Sequence, residues 1–141
     1  MYKSILLSVD LQDEASWKKA LPTALAMGKT FGAQVHLITV VPELPAYVVG
    51  TFLPGDTETK LVQAARDNLK AFAAEHGDGT EIVPHVAMGS VYSSILEAAR
   101  SVGADLIVMA SHRPEMSDYL LGPNAARVVR HSACSVLVVR D

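Results

Sequence analysis

The stretch from Asp105 to Arg140, DLIVMASHRPEMSDYLLGPNAARVVRHSACSVLVVR, decides the fold. It opens with the apolar run Leu106–Met109 and closes with the apolar run Val136–Val139, and both runs predict strands buried between helices. A polar loop lies between them and leads to Gly122 and to a helix that begins near Asn124. The first amides of a helix have no partner within it and favour an anion, typically a phosphate. The stretch therefore predicts an anion-binding turn between two strands.

Strand-like and helix-like segments alternate along the rest of the chain. Three more apolar runs predict strands over Ile5–Val9, Val35–Val41 and Glu81–Val86, and the last of these alternates as an edge strand does. The segments between the strands carry apolar residues at helical spacing. Because such alternation is typical of a parallel sheet with right-handed crossovers, the sequence predicts an α/β fold. Asp10 follows the first strand, at the end where parallel sheets bind ligands.

Three helices are predicted before the final stretch. The first extends from about Glu14 to Phe31, with a kink at Pro22 because proline lacks the N–H that a helix interior needs. Thr57 is expected to cap the second helix, which ends near Glu75, and Ser90 to cap the third. The residues predicted to face the core in these last two helices are Leu61, Ala64, Ala65, Leu69, Phe72, Ala73, Ile95, Leu96, Ala99 and Val102.

Residues Pro42 to Asp56 are predicted to form a long loop, since they include three prolines and two glycines. A loop of this length in a compact domain is usually functional or mobile. Its aromatic residues, Tyr47 and Phe52, favour packing against either a neighbouring subunit or a ligand.

Composition narrows the class of protein. A chain of 141 residues, 50% hydrophobic and 19% charged, predicts one globular domain over residues 1–141. The net charge of −3 argues against a nucleic-acid-binding surface, and no apolar segment reaches the ~18 residues that span a membrane. The N-terminus shows no cleavable signal pattern, and the single cysteine, Cys134, suits a reducing compartment. We therefore expect a cytoplasmic protein without nucleic-acid or membrane partners.

The final stretch resembles the universal stress protein family. Members of that family usually read Gly-Ser-His-Gly, a loop, Leu-Leu-Gly-Ser, a helix and Pro-Val-Leu-Val-Val. Here Ser111-His112, Leu120-Leu121-Gly122 and Ser135–Val139 match, and Tyr2–Asp10 fits the family's first strand, so the resemblance covers nearly the whole chain. The form Ala-Ser-His-Arg-Pro followed by Tyr-Leu-Leu-Gly looks like the small bacterial single-domain branch.

Three residues depart from the family pattern. Ala110 and Arg113 stand in the places of two loop glycines, and Pro123 occupies the position of a serine or threonine. Pro123 offers the phosphates neither the backbone N–H nor the hydroxyl that the family's serine would give. Arg113 either places its guanidinium on a phosphate or is a solvated loop arginine.

The resemblance implies a Rossmann-like, adenine-nucleotide-binding fold. Its five parallel strands would have the order 3-2-1-4-5, sandwiched by helices, with the ligand crevice between strands one and four. Asp10 would meet the ribose, the backbone around Val40 the adenine, and Gly122 with the following amides the phosphates. The residues implied to bind the nucleotide are Ser8, Val9, Asp10, Val40, Met109, Ala110, Ser111, His112, Arg113, Gly122, Pro123 and Asn124.

The roles of Asp10 and Gly122 each have a structural alternative. Asp10 would equally cap the first turn, and Gly122 would equally permit a tight turn. The implied cofactor is ATP, with or without Mg²⁺. No tightly bound structural metal is expected, because His131 and Cys134 lack a second ligand pair at zinc spacing.

The resemblance implies a stress-response protein that acts through nucleotide-dependent conformation and partnership. Hydrolytic nucleophile and Walker motifs are absent from the sequence, so we do not expect an enzyme, although slow ATP hydrolysis stays an alternative. A nucleotide-free dimeric interaction protein is the other alternative. Since the last strand is expected at a sheet edge, where exposed strands pair, we predict a homodimer through Val136, Leu137, Val138 and Val139.

Overall fold

The computed structural model describes residues 1–111 and 122–140, apart from the side chains of Val49, Thr51 and Phe52. Five parallel strands form one sheet in the order β3-β2-β1-β4-β5, which confirms the predicted topology. The strands are β1 (Ser4–Ser8), β2 (Gln34–Val41), β3 (Ile82–Met88), β4 (Leu106–Ser111) and β5 (Ser135–Arg140). The helices are α1 (Ala20–Phe31), α2 (Ala46–Phe52), α3 (Thr57–His76), α4 (Val91–Ser101) and α5 (Pro123–His131).

Helices cover both faces of the sheet, which explains the continuous apolar runs. In β1 the three consecutive residues Ile5, Leu6 and Leu7 are all fully buried, although successive side chains point to opposite faces. One core joins the strands to α1 and α3: Ile5, Leu7, Val35, Leu37 and Val108 pack with Ala24, Leu69 and Phe72. The other core joins them to α4 and α5: Leu6, Ile38, Ile107 and Met109 pack with Ile95, Ala99, Ala125 and Val128. Each buried Val, Leu, Ile, Phe or Met side chain among them contributes roughly 1.5–3 kcal/mol of transfer free energy.

The first predicted helix is divided in two, and the predicted kink is absent. A short 3-10 helix spans Glu14–Ser16, and α1 begins only at Ala20. Pro22 is the third residue of α1, where the N–H groups have no intrahelical partner, so the proline fits without bending the helix. The prediction of a kink was therefore wrong. Trp17 lies between the two helices and packs edge-on against Phe72 of α3, at 5.0 Å between ring centroids.

The segment before α3 also differs from the predicted loop. Residues Ala46–Phe52 form α2, and the side chain of Tyr47 is 70% exposed. Thr57 is the first residue of α3 rather than its cap, and its hydroxyl donates to the Pro54 carbonyl at 2.7 Å. The predicted inward face of α3 is correct at Leu69 and Phe72 but wrong at Leu61 and Ala64, which are exposed. The α3 core contact therefore belongs to its C-terminal half.

The outer strand β3 is held to β2 partly by two histidines. Nδ1 of His36 and Nε2 of His85 are 2.9 Å apart, and the ring centroids are 5.1 Å apart. The separation of the two nitrogens is a hydrogen-bond distance, so one imidazole donates a hydrogen bond to the other. Which ring is the donor depends on the tautomers. Both rings are half-buried. Burial lowers the pKa of both imidazoles, and the neighbouring His85 lowers the pKa of His36 further.

Candidate functional site

The strand order reverses between β1 and β4, which are neighbours in the sheet. From β1 it continues to β2 on one side, and from β4 it continues to β5 on the other. Open α/β sheets bind ligands at such a switch point, outside the carboxyl ends of the strands. A cleft of about 220 Å³ lies there. Its lining residues are Ser8, Val9, Asp10, Ser16, Thr39, Val40, Val91, Met109, Ala110 and Asn124.

Seven of the predicted site residues line this cleft. They come from the ends of three strands and from the start of α5: Ser8, Val9, Asp10, Val40, Met109, Ala110 and Asn124. Ser111, Gly122 and Pro123 do not line it. Ser111 and Gly122 lie beside it and approach each other, with the Gly122 N–H 3.4 Å from the Ser111 hydroxyl. His112 and Arg113 fall outside the described residues.

Asp10 has a structural role that leaves one carboxylate oxygen available. Its Oδ1 accepts a hydrogen bond from the Gln12 N–H at 3.0 Å, which closes a turn directly after β1. Its carbonyl accepts a hydrogen bond from the Asp13 N–H at 3.0 Å. Among the residues that the structure describes, none donates to Oδ2. The side chain is exposed, so Oδ2 can accept a hydrogen bond from a ligand while Oδ1 maintains the turn.

The start of α5 offers backbone donors. Gly122 is the N-cap with φ −61° and ψ 155°, an extended conformation that any residue adopts, so the tight-turn explanation does not account for this glycine. Pro123 occupies the first helical position and has no N–H to donate. The next amides, of Asn124 and Ala125, belong to the first turn, where N–H groups lack intrahelical partners. A ligand anion at the start of α5 would therefore meet the backbone amides that follow Pro123, but no donor from Pro123 itself.

Sequence reasoning missed three residues of the cleft. Ser16 was placed inside a continuous helix, whereas the break before Ala20 brings its hydroxyl back to Asp10. Thr39 is a buried polar residue next to the predicted Val40, and its position inside the apolar run from Leu37 to Val41 was a usable signal. Val91 opens α4, which follows β3 at the same end of the sheet as the other strand ends.

Two larger grooves lie along the outside of α1. Their volumes are about 440 and 650 Å³, and both are lined by Lys18 and Pro22. Neither groove is lined by a strand residue, so both lack the convergent strand-end groups of the smaller cleft. We therefore consider the 220 Å³ cleft the candidate site despite its smaller volume.

The described part of the chain offers neither a cluster of metal ligands nor a helix that could span a membrane. Within residues 1–111 and 122–140, no three side chains of His, Cys, Asp or Glu come together to hold a metal ion. Cys134 is half-buried, and its thiol lies 3.4 Å from the Ser132 hydroxyl. None of the helices in the described ranges is both long and apolar enough to cross a membrane.

Known proteins resemble this chain in sequence or in fold over nearly all of its length. The sequence pattern described as Universal stress protein family matches residues 1–140. The chain is similar to Universal stress protein G of Shigella flexneri, with 34% identity over 143 residues, covering 99% of this chain and 100% of that protein. Among solved structures it is similar to hypothetical protein MJ0577, with a TM-score of 0.73, 28% identity, and coverage of 100% and 97%. A universal stress protein in complex with cAMP has a TM-score of 0.61, 24% identity, and coverage of 99% and 97%.

Proposed function

Because this chain belongs to the universal stress protein family, we propose that it binds an adenine nucleotide, ATP in the first place, in the cleft between β1 and β4. It would act in the stress response as a homodimer, through nucleotide-dependent conformation and partnership. The observation that carries the proposal is the cleft itself, at the switch point of the sheet and lined by the strand-end residues. Asp10, the carboxylate among those residues, would offer its Oδ2 as an acceptor.

Each part of a nucleotide meets a suitable group in this arrangement. The backbone at Val40 would serve the adenine, because the carboxyl end of β2 lines the cleft. Asp10 would accept hydrogen bonds from the ribose hydroxyls, while Met109 and Ala110 would pack along the sugar. The phosphates would meet the amides that follow Gly122, where the α5 dipole favours negative charge.

The remaining phosphate contacts would come from the loop after β4. We propose that Ser111, His112 and Arg113 close the site over the phosphates, with the Arg113 guanidinium compensating for the donor that Pro123 lacks. Mg²⁺ would enter together with the triphosphate, because the described residues offer it no ligand cluster of their own. A structural neighbour is described in complex with cAMP, a ligand that contains the same adenine, ribose and phosphate groups.

The proposed role does not include fast catalysis. The sequence has no Gly-x-Ser-x-Gly nucleophile motif and no Walker loop. Asp10, the carboxylate of the cleft, is engaged through Oδ1 in its own turn. A nucleotide-free dimeric module and a slow phosphohydrolase are the two competing outcomes.

Asp10→Asn tests the site with little disturbance of the fold. The amide oxygen of asparagine still accepts from Gln12, but the negative charge that favours ribose hydroxyls is lost. We expect ATP affinity to fall by about 1–3 kcal/mol, the usual cost of losing a hydrogen bond to a charged group. The melting temperature of the ligand-free protein should change little. Isothermal titration calorimetry and differential scanning fluorimetry measure the two effects.

Mass spectrometry of freshly purified, denatured protein provides the independent check. Bound adenine nucleotide in the wild-type preparation supports the proposal. The nucleotide-free module becomes the better interpretation if the preparation contains none and calorimetry detects no binding of ATP, AMP or cAMP. Release of inorganic phosphate by the wild-type protein above an Asp10→Asn background would instead favour the slow hydrolase.

A further inference from the structure

Ser16 binds both backbone groups of Asp10. The Asp10 N–H donates to the Ser16 hydroxyl at 2.8 Å, and the same hydroxyl lies 2.9 Å from the Asp10 carbonyl and 2.7 Å from the Asp13 carbonyl. A serine hydroxyl has one proton, so it accepts from Asp10 N–H and donates to one of the two carbonyls at a time. This side chain therefore closes the loop that connects β1 to the 3-10 helix.

The sheet itself does not hold Asp10. The last ladder contact at this end is the Val9 N–H, which donates to the Ile38 carbonyl at 2.9 Å. Asp10 is the next residue, is exposed, and lies outside β1. Without the Ser16 hydroxyl, the Asp10 N–H would have only water as its partner.

Ser16 is itself anchored to the core. The 3-10 helix that ends with it is capped by Asp13, whose Oδ1 accepts from the Ala15 N–H at 3.1 Å. The following residue, Trp17, packs against Phe72 and His76 of α3, each at 5.0 Å between ring centroids. Ser16 is therefore held in place by the packing of Trp17 on one side. On the other side its hydroxyl contacts the backbone of Asp10 and supports it.

We propose that Ser16 is the positioning residue of the site, which orients Asp10 toward the ribose and so determines the preference for ribonucleotides over deoxyribonucleotides. This proposal rests on the proposed function. The Asp10 turn occupies Oδ1, and the Ser16 hydroxyl fixes the backbone from which the carboxylate extends. Oδ2 is then held at one place in the cleft, where a ribose hydroxyl can reach it. Ser16 influences nucleotide affinity only through Asp10. Its effect on affinity therefore requires both the Asp10 carboxylate and the sugar hydroxyls.

The test compares ATP with 2′,3′-dideoxy-ATP by calorimetry. Ser16→Ala should weaken ATP binding about fivefold, the magnitude of one ordinary hydrogen bond, and leave 2′,3′-dideoxy-ATP binding within about twofold of wild type. Ser16→Thr retains the hydroxyl and should restore ATP binding. In an Asp10→Asn background, Ser16→Ala should have no further effect on ATP, since the two residues act as one unit.

Ser132 offers a matched control variant. Its hydroxyl makes the same pair of contacts, accepting from the Cys134 N–H at 3.1 Å and donating to the Cys134 carbonyl at 3.0 Å, but it lies just before β5, at the opposite end of the sheet. Ser132→Ala should lower the melting temperature about as much as Ser16→Ala and change neither nucleotide affinity.

Two outcomes overturn the proposal. Equal loss of affinity for ATP and 2′,3′-dideoxy-ATP in Ser16→Ala would mean that Ser16 only maintains the local fold. A second readout needs no ligand: the Asp10 amide should exchange with deuterium more slowly in the wild type than in Ser16→Ala. If both exchange equally fast, the support does not exist. Failure of the wild type to bind any nucleotide, with the Asp10 amide protected, would instead refute the proposed function and with it the ribose role.

Discussion

The two edges of the sheet differ in how they resist pairing with another chain. β3 has Pro84 as its third residue, and the next residue, His85, is hydrogen-bonded to His36 of β2. Proline cannot donate a ladder hydrogen bond and is one of the devices that blunt natural edge strands. β5 has no such device in Val136–Val139, and all four side chains are half-buried. The comparison indicates that β5, and not β3, is the edge available for pairing.

The half-burial of β5 explains why an apolar edge is tolerated. Val136 and Val138 pack partly against the core of α4 and α5, and Leu137 and Val139 pack partly against the opposite core. The part of each side chain that the helices leave exposed would be covered by a second copy of the strand. Homodimerisation through β5 stays a prediction, and the following experiments test the contrast between the edges.

The largest expected effect is on the oligomeric state. Val138→Lys places a charge where the partner strand would bury it, and desolvation of an unpaired ammonium costs several kcal/mol. The dimer dissociation constant should rise by about 100-fold or more, which corresponds to about 3 kcal/mol. Light scattering coupled to size-exclusion chromatography measures the change, and circular dichroism checks that the variant is folded.

Val83→Lys is the matched control on the opposite edge. Val83 is a half-buried valine of β3, so the substitution has the same chemistry at the strand that we consider closed. It should leave the dimer intact. A folded, dimeric Val138→Lys variant would move the interface away from β5, and dissociation by Val83→Lys would reverse the comparison.

An intermediate effect is expected when the pH is changed. Lower pH should decrease the stability of the folded protein through the histidine pair that joins β3 to β2. Above pH 6.5, the ordinary value for histidine, His36 and His85 are neutral in both the folded and the unfolded chain. As the pH falls below that value, the unfolded chain binds protons that the folded chain resists, because burial has lowered both pKa values. The free energy of unfolding should therefore decrease between pH 6.5 and the lowered pKa values.

Urea unfolding at about pH 7.5 and about pH 5.5 measures this dependence. His85→Gln retains a side chain that hydrogen-bonds to His36 but removes one proton site, so the decrease should become smaller. His131→Gln removes an exposed imidazole from α5 and serves as the control. If His85→Gln keeps the full pH dependence, the histidine pair does not contribute to the closure of the β3 edge.

The smallest effect is expected from Pro84→Val. The substitution returns an N–H and a β-branched side chain to the edge strand, which raises its capacity to pair. Stability should change by less than about 1 kcal/mol, and weak association beyond the dimer should appear only at high concentration. Sedimentation velocity over a concentration series detects it. Identical sedimentation of variant and wild type at all concentrations would show that Pro84 is not what protects β3.

The positions of the strands along the chain were predictable for physical reasons. Buried parallel strands need apolar side chains on both faces, so runs such as Leu106–Met109 are visible in the sequence. Polar residues at the ends of those runs, above all Asp10, then mark the carboxyl edge of the sheet. The resemblance to the family supplied the strand order, which periodicity alone does not give.

Other features could not be predicted, because the local sequence pattern does not determine them. Nothing in the local pattern distinguishes a proline inside a helix from one in its first turn, so the break before Ala20 and the position of Ser16 escaped prediction. His36 and His85 are 49 residues apart and meet only because β2 and β3 pair in one particular register. Leu61 has the spacing of a core residue but lies beyond the reach of the core, at the exposed half of α3.

The packing of Trp17 gives the molecule a built-in optical reporter. It is the single tryptophan of the chain, its Nε1 is buried, and this N–H donates to no group among the described residues. The residue as a whole is half-buried, and an indole shielded from water emits at shorter wavelength than one in water. Because Trp17 directly follows Ser16, the wavelength and polarisation of its fluorescence should change when Ser16 no longer holds the Asp10 backbone. Both can be measured in the wild-type protein without a label.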